Sequence, residues 1–168
     1  RASNEYKDDQ IVQNTLKDRF LTIGQAKVST SAVEAFELGY LQKGKYAITM
    51  NRSRLLVDAK TKAIELADAG YVQPIPRSDI KVLGNQGLGI VYVGSDSMRA
   101  GKYISDHDKK ISEKLGYVMC GGDLSAPTEV SEQYLLDLER KAFLELCAER
   151  KTLERIQHML TKGKPLRN

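Results

Sequence analysis

The stretch "VSEQYLLDLERKAFLEL", residues 130–146, decides the fold class. Leu135, Leu138, Ala142 and Leu146 recur at steps of three and four, the period at which a helix turns one face to a core. Pro127 and Thr128 introduce it, so the spacing predicts the longest helix of the chain, running to about Cys147. Within it, Glu139 falls angularly between Leu135/Leu146 and Phe143, on or beside the buried face. A carboxyl placed there has a raised pKa unless it is paired, which is one way to build a general acid. The reading adopted is structural: a partner from a neighbouring segment pairs with Glu139 and fixes the packing of this helix on the one over 105–121.

Helical periodicity continues in both directions. Downstream, Leu153, Ile156 and Leu160 mark the inward side of a last helix. Lys151, Arg155, His158 and Lys162 form the opposite stripe. They are the candidate phosphate contacts of the chain; the plainer reading is a solvated face whose cations suit the helix C-terminus. Upstream, Ser105 and Asp108 make an S-x-x-D capping box. It opens a helix with Ile111, Leu115 and Val118 on one side, and "CGGD" (120–123) ends it. A further helix is expected from about Gly87 to Ala100, weakened by Gly89 and Gly94. Pro74 and Pro76 in "YVQPIPRSD" (71–79) break the pattern and mark the boundary between two halves, 1–75 and 76–168.

In the first half, Val12, Leu16, Phe20 and Ile23 share one face of a helix over 9–24. Ser31 and Glu34 form an S-x-x-E box, and Gly39 stops the short helix that follows. Asn51 caps a helix running to Gly70, with Leu55, Ala59, Ala63 and Leu66 expected inward. "KYAITM" (45–50) alternates weakly, as a short extended piece does. No internal repeat is present. The class is mainly α, with about seven helices.

Composition narrows the function classes. The chain has 168 residues, 41% hydrophobic and 29% charged, an ordinary balance for one domain or two small ones. No apolar run reaches the roughly 18 residues of a membrane span. Cys120 and Cys147 both sit in helical patterns and make no disulfide framework, which reads as reduced and cytoplasmic. Net charge is only +4, with the excess gathered at the end: residues 149–168 hold six Lys/Arg against two Glu. That is too narrow a basic footprint for a nucleic-acid protein.

Local motifs announce no chemistry. "GNQGLG" (84–89) has the order G-x-x-G-x-G, whereas a dinucleotide turn needs G-x-G-x-x-G. "GSDSMRAGK" (94–102) lacks the P-loop spacing, and Tyr103 stands where a Ser or Thr would meet magnesium. These glycines read as packing or capping positions. His107 and His158 have no second His or Cys three or four residues away, so no metal site is expected. His107 is expected to be exposed or locally hydrogen-bonded, in the first turn of its helix. No catalytic residue is assigned, and on these terms the chain is a scaffold or interaction module.

Longer stretches add a resemblance. "AKVSTSAVEAFELGYL" (26–41) and "MNRSRLLVDAKTKAIELADAGY" (50–71) resemble the end of a crotonase-type hydratase module. "GKYISDHDKKISEKLGYVMCGGD" (101–123), residues 130–146 and "KTLERIQHMLTKGKPLRN" (151–168) resemble the C-terminus of bacterial 3-hydroxyacyl-CoA dehydrogenases that carry a C-terminal enoyl-CoA hydratase module. The likeness runs from about residue 8 to 168. The second-half motifs are specific; the first-half pattern is shared across crotonases.

The resemblance implies that residues 1–75 are the last helices of the hydratase module and 76–168 a helical extension. It implies a fatty-acid β-oxidation parent using NAD and an acyl-CoA substrate, with the dinucleotide fold, the His–Glu pair and the oxyanion hole all upstream of Arg1. No catalytic or cofactor residue of that family maps onto this chain, so the isolated chain is expected to bind no cofactor and to be inactive. Its expected partners are the upstream hydratase core and dehydrogenase domains of the same parent. Without them it is expected to self-associate. The rival reading is a helical module that grips an anionic partner through Lys151, Arg155, His158 and Lys162.

Overall fold

The structure, a computed structural model, describes residues 9–42 and 44–168. It is mainly helical. Seven α-helices lie among the described residues: α1 (Asp9–Gly24), α2 (Ala32–Glu37), α3 (Leu55–Asp68), α4 (Asn85–Ala100), α5 (Asp106–Met119), α6 (Glu132–Cys147) and α7 (Arg150–Lys162). A 3-10 turn covers Arg52–Arg54, and β1 (Ile80–Val82) and β2 (Thr128–Val130) form a two-stranded sheet. The chain divides into two compact units, one of residues up to Gln25 together with Pro76–Asn168, the other Ala26–Ile75.

The larger unit is built around α4 and α5. Their approach depends on Gly116, where a methyl group would lie 2.5 Å from Val91 Cγ1. Helix α1 packs on both of them, so it joins the second half rather than residues 26–75, with which the sequence reading grouped it. Its Val12 is buried, and Leu16 reaches the small-residue face of α4: a methyl on Gly87 would meet Leu16 Cδ2 at 3.1 Å and the Cys120 sulfur at 2.7 Å. Ile23, at the far end of the expected stripe, is exposed.

Residues 80–82 pair antiparallel with 128–130 in the register Ile80↔Val130 and Val82↔Thr128. Thr128 therefore belongs to a strand, as β-branched residues favour. Ser131 is the residue that caps α6, accepting from the Tyr134 N–H at 3.1 Å. Along α6 the expected face holds: Ala142 is buried and Leu135, Leu138 and Leu146 are half-buried. The Ser105–Asp108 capping box opens α5 as its spacing predicts.

Helices α4 and α5 end in the same reversal. Beyond α5, Gly121 has φ +85°, with Gly121 N–H on Val118 O (3.1 Å) and Gly122 N–H on Tyr117 O (2.8 Å). Beyond α4, Lys102 N–H bonds Arg99 O and Tyr103 N–H bonds Met98 O, both 2.9 Å. This is the Schellman pattern, whose left-handed position usually holds glycine. At the end of α4 it holds Lys102, at φ +60°.

Helix α7 is turned opposite to expectation. Thr152, Arg155 and His158 are half-buried, while Leu153, Ile156 and Leu160 are exposed, Leu160 by 78%. Polar bonds described below fix this rotation, and they outweigh the apolar pattern.

Residues 26–75 form the smaller unit. Ser31 caps α2, accepting from the Glu34 N–H at 3.1 Å. The Glu34 carboxylate reaches Thr30 instead of Ser31, taking its N–H and hydroxyl at 2.6 Å each, so the box closes one residue early. Gly39 (φ +78°) ends α2 as expected, with Tyr40 N–H on Ala35 O at 2.9 Å. The Asn51 side chain accepts from the Ser53 N–H at 3.0 Å and opens the 3-10 turn that leads into α3. Residues 45–50 form no strand. Among the described residues of this unit only Ala35 is buried. Leu55, Ala59, Ala63 and Leu66, expected inward, are all exposed, because this unit supplies no second layer for α3 to cover.

Candidate functional site

Charged and titratable groups converge in the larger unit, where the end of α4, the start of α5, the start of α7 and the last residues meet. Asp108, third residue of α5, is the hub. It accepts from Ser105 N–H and hydroxyl, both 3.0 Å, and from Arg155 Nη1 at 2.7 Å. Burial alone raises a carboxyl pKa, but the bonds from Ser105 and Arg155 outweigh it and hold Asp108 below its ordinary value. Arg155 also donates from Nε to the Asn168 side-chain oxygen at 2.8 Å. The Asn168 amide in turn donates to Glu154 at 2.8 Å and to Lys151 O at 3.3 Å. The chain end is thus pinned to α7.

His107 lies next to this hub and is 4% exposed. Its Nε2 and the Thr152 hydroxyl are 3.0 Å apart, across 45 residues of sequence. Burial, then Arg155 and Lys151, push its pKa below the usual value of 6.5; Glu149 and Asp108 act in the opposite sense. The expectation of an exposed or locally bonded His107 is corrected: its partner is distant in sequence, and no local pattern announces it.

The four sequence-predicted phosphate contacts do not form one exposed stripe. Lys151 and Lys162 are exposed, whereas Arg155 and His158 are half-buried and Arg155 is bound to Asp108. Glu139 is exposed as well, on the side of α6 shared with exposed Phe143, so neither an acid role nor a buried pair is built there. The ion pairs that join α6 and α7 to α5 come from Lys114–Glu145 and Lys110–Glu149.

Around the hub lies an open cleft of about 670 Å³, lined by Arg99, Lys102, Tyr103, Asp106, Lys151 and Arg167 among others. Asp106 is paired with Arg99 at 2.5 Å. Sequence reasoning found Lys151 but missed Lys102 and Arg167, which reach the cleft from other segments.

The glycine turn at 84–89 is closed to phosphate. Gly84 (φ +55°) N–H bonds Cys120 O at 2.9 Å, and Asn85 N–H bonds Leu124 O at 2.8 Å. A methyl on Gly84 would lie 2.4 Å from that Leu124 oxygen. A backbone carbonyl therefore already occupies the place where a turn of this kind would cradle an anion. The Cys120 thiol is fully buried, and burial pushes its pKa up to about 11, far from a reactive thiolate. Among the described residues no group of three or more His, Cys, Asp or Glu is placed to hold a metal ion. None of the described helices is long and apolar enough to cross a membrane.

In comparisons with known proteins, no protein-family model matches the chain. No solved structure matches it. A curated relative does: over 155 residues, 92% of this chain, the sequence is 46% identical to a probable 3-hydroxyacyl-CoA dehydrogenase of Bacillus subtilis (strain 168). The chain spans 19% of that relative, about a fifth of its length.

Proposed function

We propose that this chain is the helical C-terminal portion of a longer 3-hydroxyacyl-CoA dehydrogenase that also carries an enoyl-CoA hydratase module and acts in fatty-acid β-oxidation. The observation that carries the reading is the 46% identity across 92% of the chain. One feature agrees with it. Among its described residues the unit 26–75 buries only Ala35 and exposes Leu56, Met50, Val72 and Ile75, a surface that calls for cover.

In this reading the rest of the parent covers α3 and supplies the chemistry. NAD and an acyl-CoA thioester are the parent's cofactor and substrate. The glycine turn of this chain does not fit a dinucleotide, since the Leu124 carbonyl faces Gly84, so no catalytic step is assigned to these residues. Their role is packing, and the chain on its own self-associates through the uncovered face of 26–75. The protein works in the cytoplasm.

The test is a pair of assays on the rigorously purified 168-residue chain and on the full reading frame that contains it. The chain alone is expected to neither hydrate an enoyl-CoA nor reduce NAD with a 3-hydroxyacyl-CoA, while the full frame does both. Turnover by the chain alone, or a frame that starts immediately ahead of Arg1, overturns the reading and favours an independent interaction module.

A further inference from the structure

We propose that the cleft between the end of α4, the first turn of α7 and the final residues binds a small phosphate-bearing molecule. This is independent of the dehydrogenase reading. At about 670 Å³ the cleft falls within the size range of small-molecule sites. Four side-chain cations and two side-chain carboxylates line it. Both carboxylates have their own partners, Asp106 with Arg99 and Asp108 with Arg155. Lys102, Lys151 and Arg167 form no ion pair among the described residues, although Lys151 also lies in the field of Asp106. Three segments thus contribute one such cation each to the lining of the cleft. Lysine and arginine there match the charge and the acceptor-rich geometry of a phosphate ester better than a lone carboxylate.

A second observation points the same way. Lys102 sits at φ +60°, a left-handed conformation in which a side chain is strained and glycine is not. The corresponding positions after α2, α3, α5 and α7 are Gly39, Gly70, Gly121 and Gly163. Two helices keep a side chain at this left-handed position, α1 with Ala26 at φ +49° and α4 with Lys102, and of the two Lys102 is the cation on the cleft. Backbone strain retained at a recognition site is a common cost of function. Arg167 is also positioned, because its neighbour Asn168 is tied to Arg155 and Glu154.

Lys102→Gly gives an unusually clean test, because it removes the charge and relieves the backbone at once, so loss of folding cannot explain lost binding. Pyrophosphate and ADP are titrated calorimetrically into the 168-residue chain at low salt, alongside Lys102→Gly, Arg167→Gln and a charge control, Lys60→Gln, on exposed α3. Saturable binding of both probes is expected. Each cleft variant should weaken it about tenfold, and Lys60→Gln should leave it unchanged. Absence of saturable binding up to about 10 mM overturns the proposal. So does an equal loss in Lys60→Gln, which would mean diffuse charge attraction. A single-stranded oligonucleotide that binds more tightly than either probe would assign the cations to a macromolecule and overturn it too.

Discussion

Arg155 on α7 donates to Asp108 in the first turn of α5 at 2.7 Å, and with its other nitrogens it holds Asn168. One guanidinium thus joins a helix start, a second helix and the chain end. Asp108 is at the same time the third residue of its own capping box, so the box and the inter-helix bond share one carboxylate.

Removing Arg155 leaves that carboxylate with its cap bonds but without its cation. Both side chains keep some exposure, 19% and 26%, so the loss falls short of a fully buried pair. Arg155→Met is expected to lower stability by about 1–3 kcal/mol. Asp108→Ala should lose about 1 kcal/mol more, since the bonds its carboxylate takes from Ser105 go too, while the Ser105 hydroxyl keeps the backbone N–H of residue 108. Urea midpoints of the two single variants and the double variant measure the coupling; additive losses would mean that the bond contributes nothing.

His107 makes stability depend on pH. Its folded pKa is below the unfolded value near 6.5, so the unfolded chain binds the extra proton first. The contribution is complete above 6.5 and is lost as pH falls through that value toward the folded pKa. Denaturation midpoints of the wild type should therefore fall between about pH 7 and pH 5, and His107→Gln should flatten that part of the profile. An unchanged slope in the variant would show that His107 is not the group responsible.

Two helical glycines should respond in opposite directions to the same methyl group. At Gly94 nothing lies within 4 Å, so Gly94→Ala should stabilise by about 1 kcal/mol through helix propensity. At Gly116 the methyl meets Val91 at 2.5 Å. Valine in a helix has little rotamer freedom to retreat, and overpacking of this kind typically costs about 1–3 kcal/mol. Gly116→Ala should thus destabilise despite the propensity gain, which thermal melts of both variants will show.

Cys120 should be silent in the native chain. It is fully buried with a thiol pKa of about 11, so a thiol reagent at neutral pH should titrate it only after denaturation. Half-buried Cys147 provides the internal comparison. Fast native labelling of both thiols would show that the α1–α4–α5 core opens.

Much of the helical layout was legible because period and caps are local. Leu135, Leu138, Ala142 and Leu146 set α6, and Ser105 with Asp108 set the start of α5. What was not legible depended on partners far away in sequence. The apolar side of α7 predicted its inward face, yet Arg155 and Thr152 found Asp108 and His107 and turned the helix the other way. The inward stripe of α3 assumed a second layer that residues 26–75 do not supply. The cleft cations were legible only at Lys151, since Lys102 and Arg167 reach it through a helix reversal and a pinned chain end. The relative recovered by sequence comparison agrees with the dehydrogenase half of the resemblance; the hydratase half rests on the quoted motifs.

The Leu124 carbonyl that closes the Gly84 turn also affects how the chain opens and closes. Amides at a helix start ordinarily exchange with solvent freely, having no partner within the helix. Here Gly84 and Asn85 are bonded to Cys120 and Leu124, from the segment linking α5 to β2. Their deuterium uptake should therefore follow release of that segment rather than fraying of α4, and the slowest protons near residue 85 will report on residues almost forty positions away.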